Sequence, residues 1–241
     1  MYAANPSPTG WSFGANLTEA PLKATCPTSA PGGAGATLDG GDKWVSVLLR
    51  QHAPEVVVFA NLLTGLECDA LIEAAKPRMS RSLTVNTQTG EESLHPDRTS
   101  QGMFFERFEN DVVARIEKRI AKLLHWPINH GEGLQVLSYR NGAQYLPHYD
   151  YFDPLDEGTP TLLARGGQRV ATLIMYLAEP EAGGATVFPD LGLQVMPKRG
   201  QAVFFSYPVP LPASLSLHGG EPVTAGEKWI ATKWLRQREF V

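Results

Sequence analysis

Residues 134–152 read LQVLSYRNGAQYLPHYDYF. Leu134 to Tyr139 is an apolar run of strand-favouring residues, Asn141-Gly142 is a tight-turn signal, and residues 144–151 form a second extended run, so the stretch predicts an antiparallel hairpin. On an extended segment, residues two apart share a face, and His148 and Asp150 can therefore converge on one metal ion. The pair alone leaves two readings open: metal ligands, or a hydrogen-bonded core histidine followed by a turn aspartate. Short motifs of this kind match often by chance.

Outward from this stretch the C-terminal half continues as short strands. Residues 169–177, 186–188, 193–196, 202–206, 216–219 and 228–235 are candidates, and PEAGG, PKRG and TAGE supply turns between them. Towards the N-terminus, Glu55-Val56-Val57-Val58-Phe59 reads as a buried strand. Thr64-Gly65-Leu66-Glu67 has the capping-box pattern of a helix that carries Leu71, Ile72 and Ala75 and stops at Pro77. Val112, Val113, Ile116, Ile120, Leu123 and Leu124 recur at helical spacing after Asn110, which predicts an amphipathic helix. Asp42 is positioned to cap a short helix through Val45, Leu48 and Leu49. The polar stretch 79–102 between the two longer helices reads as a long loop or hairpin, the kind of segment that closes over a binding site. Many short strands behind two helices define a mainly β (α+β) domain, a sandwich or barrel with helices on one outer face.

Residues 1–41 are dominated by Pro, Gly, Ala, Ser and Thr and read as a flexible low-complexity arm, with the folded domain spanning 42–241. At 241 residues and 43% hydrophobic content the chain can build one sizeable core. A net charge of −4 offers no basic face for nucleic acid. Two cysteines, Cys26 and Cys68, suit a reducing compartment and exclude a thiolate zinc cluster. No apolar run reaches the roughly 18 residues of a membrane span, and the N-terminus lacks the layout of a secretory signal. The expectation is a soluble, cytoplasmic protein that binds neither membrane nor nucleic acid.

A third candidate ligand is His218, in a strand candidate near the C-terminus. If that strand lies beside residues 144–151, two imidazoles and one carboxylate occupy one face of a ferrous ion and leave positions open for dioxygen chemistry. Lys228 follows ten residues later in GEKWIATKWL. A lysine pointing into a barrel is a costly buried charge unless it meets an anion, and the far carboxylate of a dicarboxylate cosubstrate is a natural partner; the alternative is a lysine on the surface of the strand. Lys233, of opposite parity on the same strand, fits a surface position.

The segments LQVLSYRNGAQYLPHYDYFDP, GGQRVATLIMYL, GGATVFP, SLHGG and GEKWIATKWL, in this order and approximate spacing, resemble the catalytic domain of the prolyl 4-hydroxylases, iron- and 2-oxoglutarate-dependent oxygenases. The match covers about residues 55–240. It implies a double-stranded β-helix, or jelly-roll, core. His148, Asp150 and His218 then match the iron ligands, and Lys228 matches the partner of the far carboxylate of 2-oxoglutarate. Tyr139 and Thr186 match positions lining the same pocket, and Tyr145, Arg169 and Trp234 match positions near the peptide. The implied cofactors are Fe(2+), 2-oxoglutarate and dioxygen, with ascorbate as reductant. The stretch ahead of the match is the low-complexity arm in place of a peptide-binding domain, so a collagen-type assembly is not expected. Residues 153–165 and the PASLSL run differ in length from common versions, so the substrate is not carried over.

The expected reaction is hydroxylation of a prolyl residue in a peptide or protein, at the 4-position, with release of succinate and carbon dioxide. Asp150 speaks against halogenation, because its carboxylate occupies the position a halide would take. Hydroxylation of free proline or another small molecule keeps the chemistry but requires a closed pocket. A non-catalytic jelly-roll module that keeps its metal residues for stability has no use for Lys228. A zinc hydrolase needs a general base that the sequence does not place.

Overall fold

The computed structural model describes residue 27, residues 32–82 and 99–241, and the backbone of 84–85 and 92–93. Most of the expected low-complexity arm and the centre of the 79–102 segment lie outside the described residues. Two sheets face each other. The major sheet has nine strands in the order Thr37–Asp39, Trp44–His52, Glu55–Ala60, Ala202–Ser206, Arg169–Ala178, Lys228–Arg236, Leu134–Tyr139, Gln101–Phe105 and Ser80–Arg81. The minor sheet has four, in the order Leu193–Val195, Thr186–Phe188, His218–Gly220 and Tyr145–His148. All pairings are antiparallel, as a jelly-roll core requires.

The near-continuous apolar strands are explained by burial on both faces of the major sheet. Alternate side chains point to opposite sides. Leu173, Met175, Phe204 and Ala231 therefore join one core beneath the helices, while Ile174, Tyr176, Phe205 and Ile230 join a second core between the sheets. The helical layer consists of α1, Gly65–Ala75, and α2, Asp111–Leu124. Thr64 caps α1 in the predicted capping box, its hydroxyl accepting the Glu67 N–H at 3.1 Å while Glu67 Oε2 accepts the Thr64 N–H at 2.8 Å. Removing that hydroxyl in Thr64→Ala is expected to lower stability by about 1 kcal/mol. The check is a lower urea midpoint at unchanged slope. Asn110 caps α2 by accepting the N–H groups of Val112 and Val113. The two helices are tied by Arg119 of α2, fully buried, which donates to Glu67 at 2.7 Å and to Asp42 at 2.6 Å.

Four expectations differ from the fold. Residues 44–52 form a strand, not a helix opened by Asp42. Val45 and Val47 alternate into the core, and a bulge between Val47 and Leu49 breaks the alternation, which is why Val45, Leu48 and Leu49 imitate helical spacing. The sheet also begins at Thr37–Asp39, paired with Trp44–Ser46, so the 41/42 boundary falls inside a hairpin. Lys233 is buried, not exposed. Its Nζ donates to Glu117 of α2 at 2.5 Å and to the Glu132 carbonyl, because α2 covers the face of the sheet from which Lys233 projects.

The largest correction concerns the hairpin. Leu134–Tyr139 pairs with Lys228–Arg236 and Gln101–Phe105 in the major sheet, whereas Tyr145–His148 pairs with His218–Gly220 in the minor one. Gly142 has φ +79°, which the turn needs, and its N–H donates to the Val223 carbonyl at 2.7 Å. The turn carries the chain across the barrel mouth instead of folding it back on itself.

Candidate metal centre and its pockets

His148 ends the Tyr145–His148 strand and His218 begins its neighbour, and the two are direct Cα partners across the ladder. Asp150 lies two residues past the end of the first strand. Its carboxylate oxygens stand 3.6 Å from His148 Nε2 and 3.5 Å from His218 Nε2. One ligand atom from each of these three residues falls within 4.8 Å of the others, the sole such group among the described residues.

Both imidazoles are oriented by their own chain. His148 Nδ1 lies 2.8 Å from the Leu146 carbonyl and His218 Nδ1 lies 3.0 Å from the Ser216 carbonyl. A carbonyl oxygen only accepts, so each Nδ1 carries the proton and each Nε2 presents its lone pair to the cluster. Burial pushes the His218 pKa down to about 4, against the pull of Asp150, so the ring is neutral at pH 7. Burial opposes ionisation of Asp150, but His218, His148 and Arg169 outweigh it and hold the carboxyl well below its usual range. Two imidazole nitrogens and one carboxylate, with hydrogen bonds directing each imidazole, fit a ferrous ion held on one face.

On one side of this cluster a narrow pocket runs inward to Lys228, past Tyr139 and Thr186. Lys228 is buried and is the cross-strand partner of Tyr139. Its Nζ donates to the Gly184 carbonyl at 2.6 Å and sits near the rings of Tyr139 and Tyr176. Gly184 has φ +72°, and a Cβ there would approach the Lys228 stem to 3.2 Å. Burial pushes the Lys228 pKa down to about 8, while Glu221 pulls it up. Thr186 accepts the Tyr176 hydroxyl at 2.9 Å, which leaves its own proton to donate into the pocket.

On the other side lies a groove of about 650 Å³, walled by Phe104, Tyr149, Tyr151, Phe152 and Trp234 and rimmed by exposed Arg78, Arg81 and Asp153. Tyr145 stacks on the His148 ring at 3.7 Å and borders both cavities. Trp234 is the cross-strand partner of Thr172, and its buried Nε1 has no hydrogen-bond partner among the described residues. Arg169 lies between the rings of Phe152 and Trp234, 4.9 and 4.0 Å from their centroids. Most of its guanidinium is committed within the protein. Glu132 accepts two of its N–H groups, at 2.7 and 2.9 Å, and the Asp150 carbonyl lies 3.4 Å from a third.

The spacing pattern missed several residues that complete this region: Glu132, Thr172, Tyr176 and Tyr207. Glu132 sits in a short loop with no pattern around it. The other signal was available, because Thr172 and Tyr176 place hydroxyls inside the otherwise apolar run RVATLIMYLA. A hydroxyl in a fully buried strand has to find a partner.

A two-sheet jelly roll with an open three-residue metal centre, one inward pocket ending on a lysine and one outward groove, defines a class of metal-dependent oxygenase. Residues 134–236 match the family model described as the 2OG-Fe(II) oxygenase superfamily. Prolyl 4-hydroxylase 5 of Arabidopsis thaliana is 43% identical over 222 residues, which cover 83% of this chain and 74% of that protein. The viral collagen prolyl hydroxylase of Paramecium Bursaria Chlorella virus-1, solved as a 2OG complex, superposes with a TM-score of 0.58 at 32% identity, covering 75% of this chain and 95% of the viral one. The chain belongs to the prolyl 4-hydroxylase family of the iron- and 2-oxoglutarate-dependent oxygenases. It is therefore an enzyme whose cofactors are Fe(2+) and 2-oxoglutarate.

Proposed function

We propose that the protein hydroxylates a prolyl residue within a peptide or protein, at the 4-position. His148, Asp150 and His218 hold the iron, and Lys228, Tyr139 and Thr186 hold 2-oxoglutarate. Tyr145, Arg169 and Trp234 face the substrate, with ascorbate as reductant. The observation that carries this reading is the division of the space around the cluster: an inward pocket that ends on a buried cation, and an aromatic groove that opens to solvent. When bound, iron and 2-oxoglutarate supply the oxidative chemistry, which consumes dioxygen and releases succinate and carbon dioxide.

The chain supplies placement. Lys228 gives the far carboxylate a charged donor in a buried pocket, and Thr186, which already accepts from the Tyr176 hydroxyl, adds a hydroxyl whose own proton is left to donate. Tyr145 stands between the two cavities and fixes the His148 ring by stacking. Flat aromatic walls bind the rigid, extended backbone around a proline at low entropic cost, which favours a peptide over free proline. A free amino acid would leave most of the 650 Å³ groove filled with water.

The test is incubation with ferrous iron, 2-oxoglutarate and a set of proline-rich peptides. The expected result is a mass gain of one oxygen atom on proline, equimolar with succinate. Hydroxylation of free proline in preference to every peptide, or no coupled turnover with either, would overturn the proposal.

A further inference from the structure

Thr172 sits in the middle of the Arg169–Ala178 strand, fully buried, between Ala171 and Leu173. Its Oγ1 lies 2.7 Å from Asp150 Oδ2 and 2.8 Å from the Tyr207 hydroxyl oxygen. Elementary chemistry sets the direction of both protons. An ionised carboxylate only accepts, so Thr172 gives its single proton to Asp150. The threonine oxygen is then an acceptor towards Tyr207, and the phenol donates to it. The result is a one-way chain of donors, Tyr207 to Thr172 to Asp150, among buried side chains.

The location of this chain gives it a task. His148 and His218 are held by the ladder of the minor sheet. Asp150 is not: it follows the end of its strand, and no ladder bond fixes its carboxylate. Thr172 instead belongs to the major sheet, where it pairs with Phe205 across the ladder, and Tyr207, the residue that follows the Ala202–Ser206 strand, is tied to the same sheet by its N–H, which donates to the Val170 carbonyl at 2.9 Å. The two hydroxyls are thus anchored in one sheet and reach across to a ligand carried by the other.

We propose that Thr172, backed by Tyr207, is a positioning residue that holds the Asp150 carboxylate in the orientation a metal ion requires and thereby sets metal affinity. The inference rests on the reading of His148, Asp150 and His218 as a metal centre. Groups that orient ligands in this way are typically worth 10- to 100-fold in affinity, roughly.

The experiment is calorimetric titration of Mn2+ into chelator-treated full-length protein, with binding itself as the readout. Thr172→Val keeps the shape of the side chain and removes the donor, and a fall in affinity of about 10- to 100-fold is expected. Thr172→Ser, which keeps the hydroxyl, restores binding. Tyr207→Phe leaves Thr172 able to donate but free to turn, and loses about threefold to tenfold, the worth of one neutral hydrogen bond. A merely structural role would lower the melting temperature of the metal-free variants and leave the Mn2+ affinity unmoved, and that result overturns the proposal. Should Thr172→Val not fold, unchanged affinity in folded Tyr207→Phe overturns it equally. Wild-type protein that binds no Mn2+, or that binds it as tightly after His148→Ala, refutes the metal centre itself and this inference with it.

Discussion

Replacing Lys228 by methionine is expected to weaken 2-oxoglutarate binding about 100-fold, while the folded protein loses no stability. Truncating one partner of a buried charge pair costs about 2–5 kcal/mol, and each 1.4 kcal/mol or so is tenfold in affinity. Without cosubstrate, however, the Lys228 ammonium is a desolvated cation whose hydrogen bond goes to a neutral carbonyl, that of Gly184. A methionine of similar length leaves no buried charge, so unfolding measured without ligand is expected to be unchanged or shifted towards greater stability. A surface role for Lys228 predicts neither result. The measurement is a pair: equilibrium binding of 2-oxoglutarate to the metal-loaded protein, and urea unfolding of the unliganded one. Equal affinity in the variant and the wild type would sink the assignment.

The same lysine sets a pH dependence whose sign follows from its burial. Burial lowers its pKa to about 8 from the ordinary 10.5, with Glu221 acting in the opposite direction. Below about pH 8 the ammonium is present and a dicarboxylate finds its partner. Above that value the free protein must take up a proton to bind, so affinity is expected to fall by up to about tenfold per pH unit. Lys228→Met shows no such fall. Folding carries the complementary signature. Between about pH 8 and 10.5 the unfolded chain holds the proton that the folded one has released, so unliganded wild-type protein gains stability as pH rises through that window.

Lys228 was legible because a cation followed by Trp229, Ile230 and Ala231 stands out on a strand whose apolar residues leave it no solvent. His218 was legible only in part. Its residue type suggested a ligand, but its contact with His148 depends on a strand pairing that no local pattern contains. The Asn141-Gly142 turn illustrates the limit. A turn signal specifies that the chain reverses, whereas the partner each strand takes is decided by which cores its two faces fill. Leu134–Tyr139 lies in the major sheet, with Leu134 and Val136 in the helix-side core and Leu137 and Tyr139 in the inter-sheet core. Its alternation alone would have fitted a hairpin as well. The helices α1 and α2 were readable to within a residue because their caps, Thr64 and Asn110, act on backbone groups three positions away or fewer. Lys233 was misread for the opposite reason. Its partner Glu117 lies 116 residues away, on a helix whose docking only the folded chain reveals. Ionisable residues on buried strands are thus the places where sequence pattern identifies a need for a partner without supplying it.

Glu132 is the strongest case of such a distant partner, and its replacement by glutamine is expected to destabilise the protein by about 3–5 kcal/mol. The carboxylate is buried, grips Arg169 through both oxygens at 2.7 and 2.9 Å, and accepts a further bond from Arg236 at 2.8 Å. The two guanidiniums fare differently. Arg169 is held above its ordinary pKa, because Glu132 and Asp150 outweigh its burial. Arg236 falls below its ordinary value, because burial and the neighbouring Arg169 outweigh its single bond to Glu132. One carboxylate therefore offsets two buried cations. Glutamine preserves the volume, so no cavity term enters, but it leaves both cations facing a neutral amide whose NH2 group is itself a donor. Acid separates this effect from simple loss of packing. Burial raises the Glu132 pKa but Arg169 and Arg236 more than reverse that, so the folded value lies below the ordinary 4.5. Its stabilisation is complete above that ordinary value and is lost as pH falls through the folded one. The gap in unfolding free energy between wild type and Glu132→Gln should accordingly be full at neutral pH and close progressively in acid, as followed by urea titration. A gap that persists unchanged at low pH would mean that shape, and not charge, is what Glu132 contributes. The loosened Arg169 should also disturb the groove, since its guanidinium stacks on Trp234 and reaches the Asp150 carbonyl. Glu132→Gln is therefore expected to weaken peptide binding while leaving the affinity for 2-oxoglutarate, proposed above to bind in the inward pocket, close to that of the wild type.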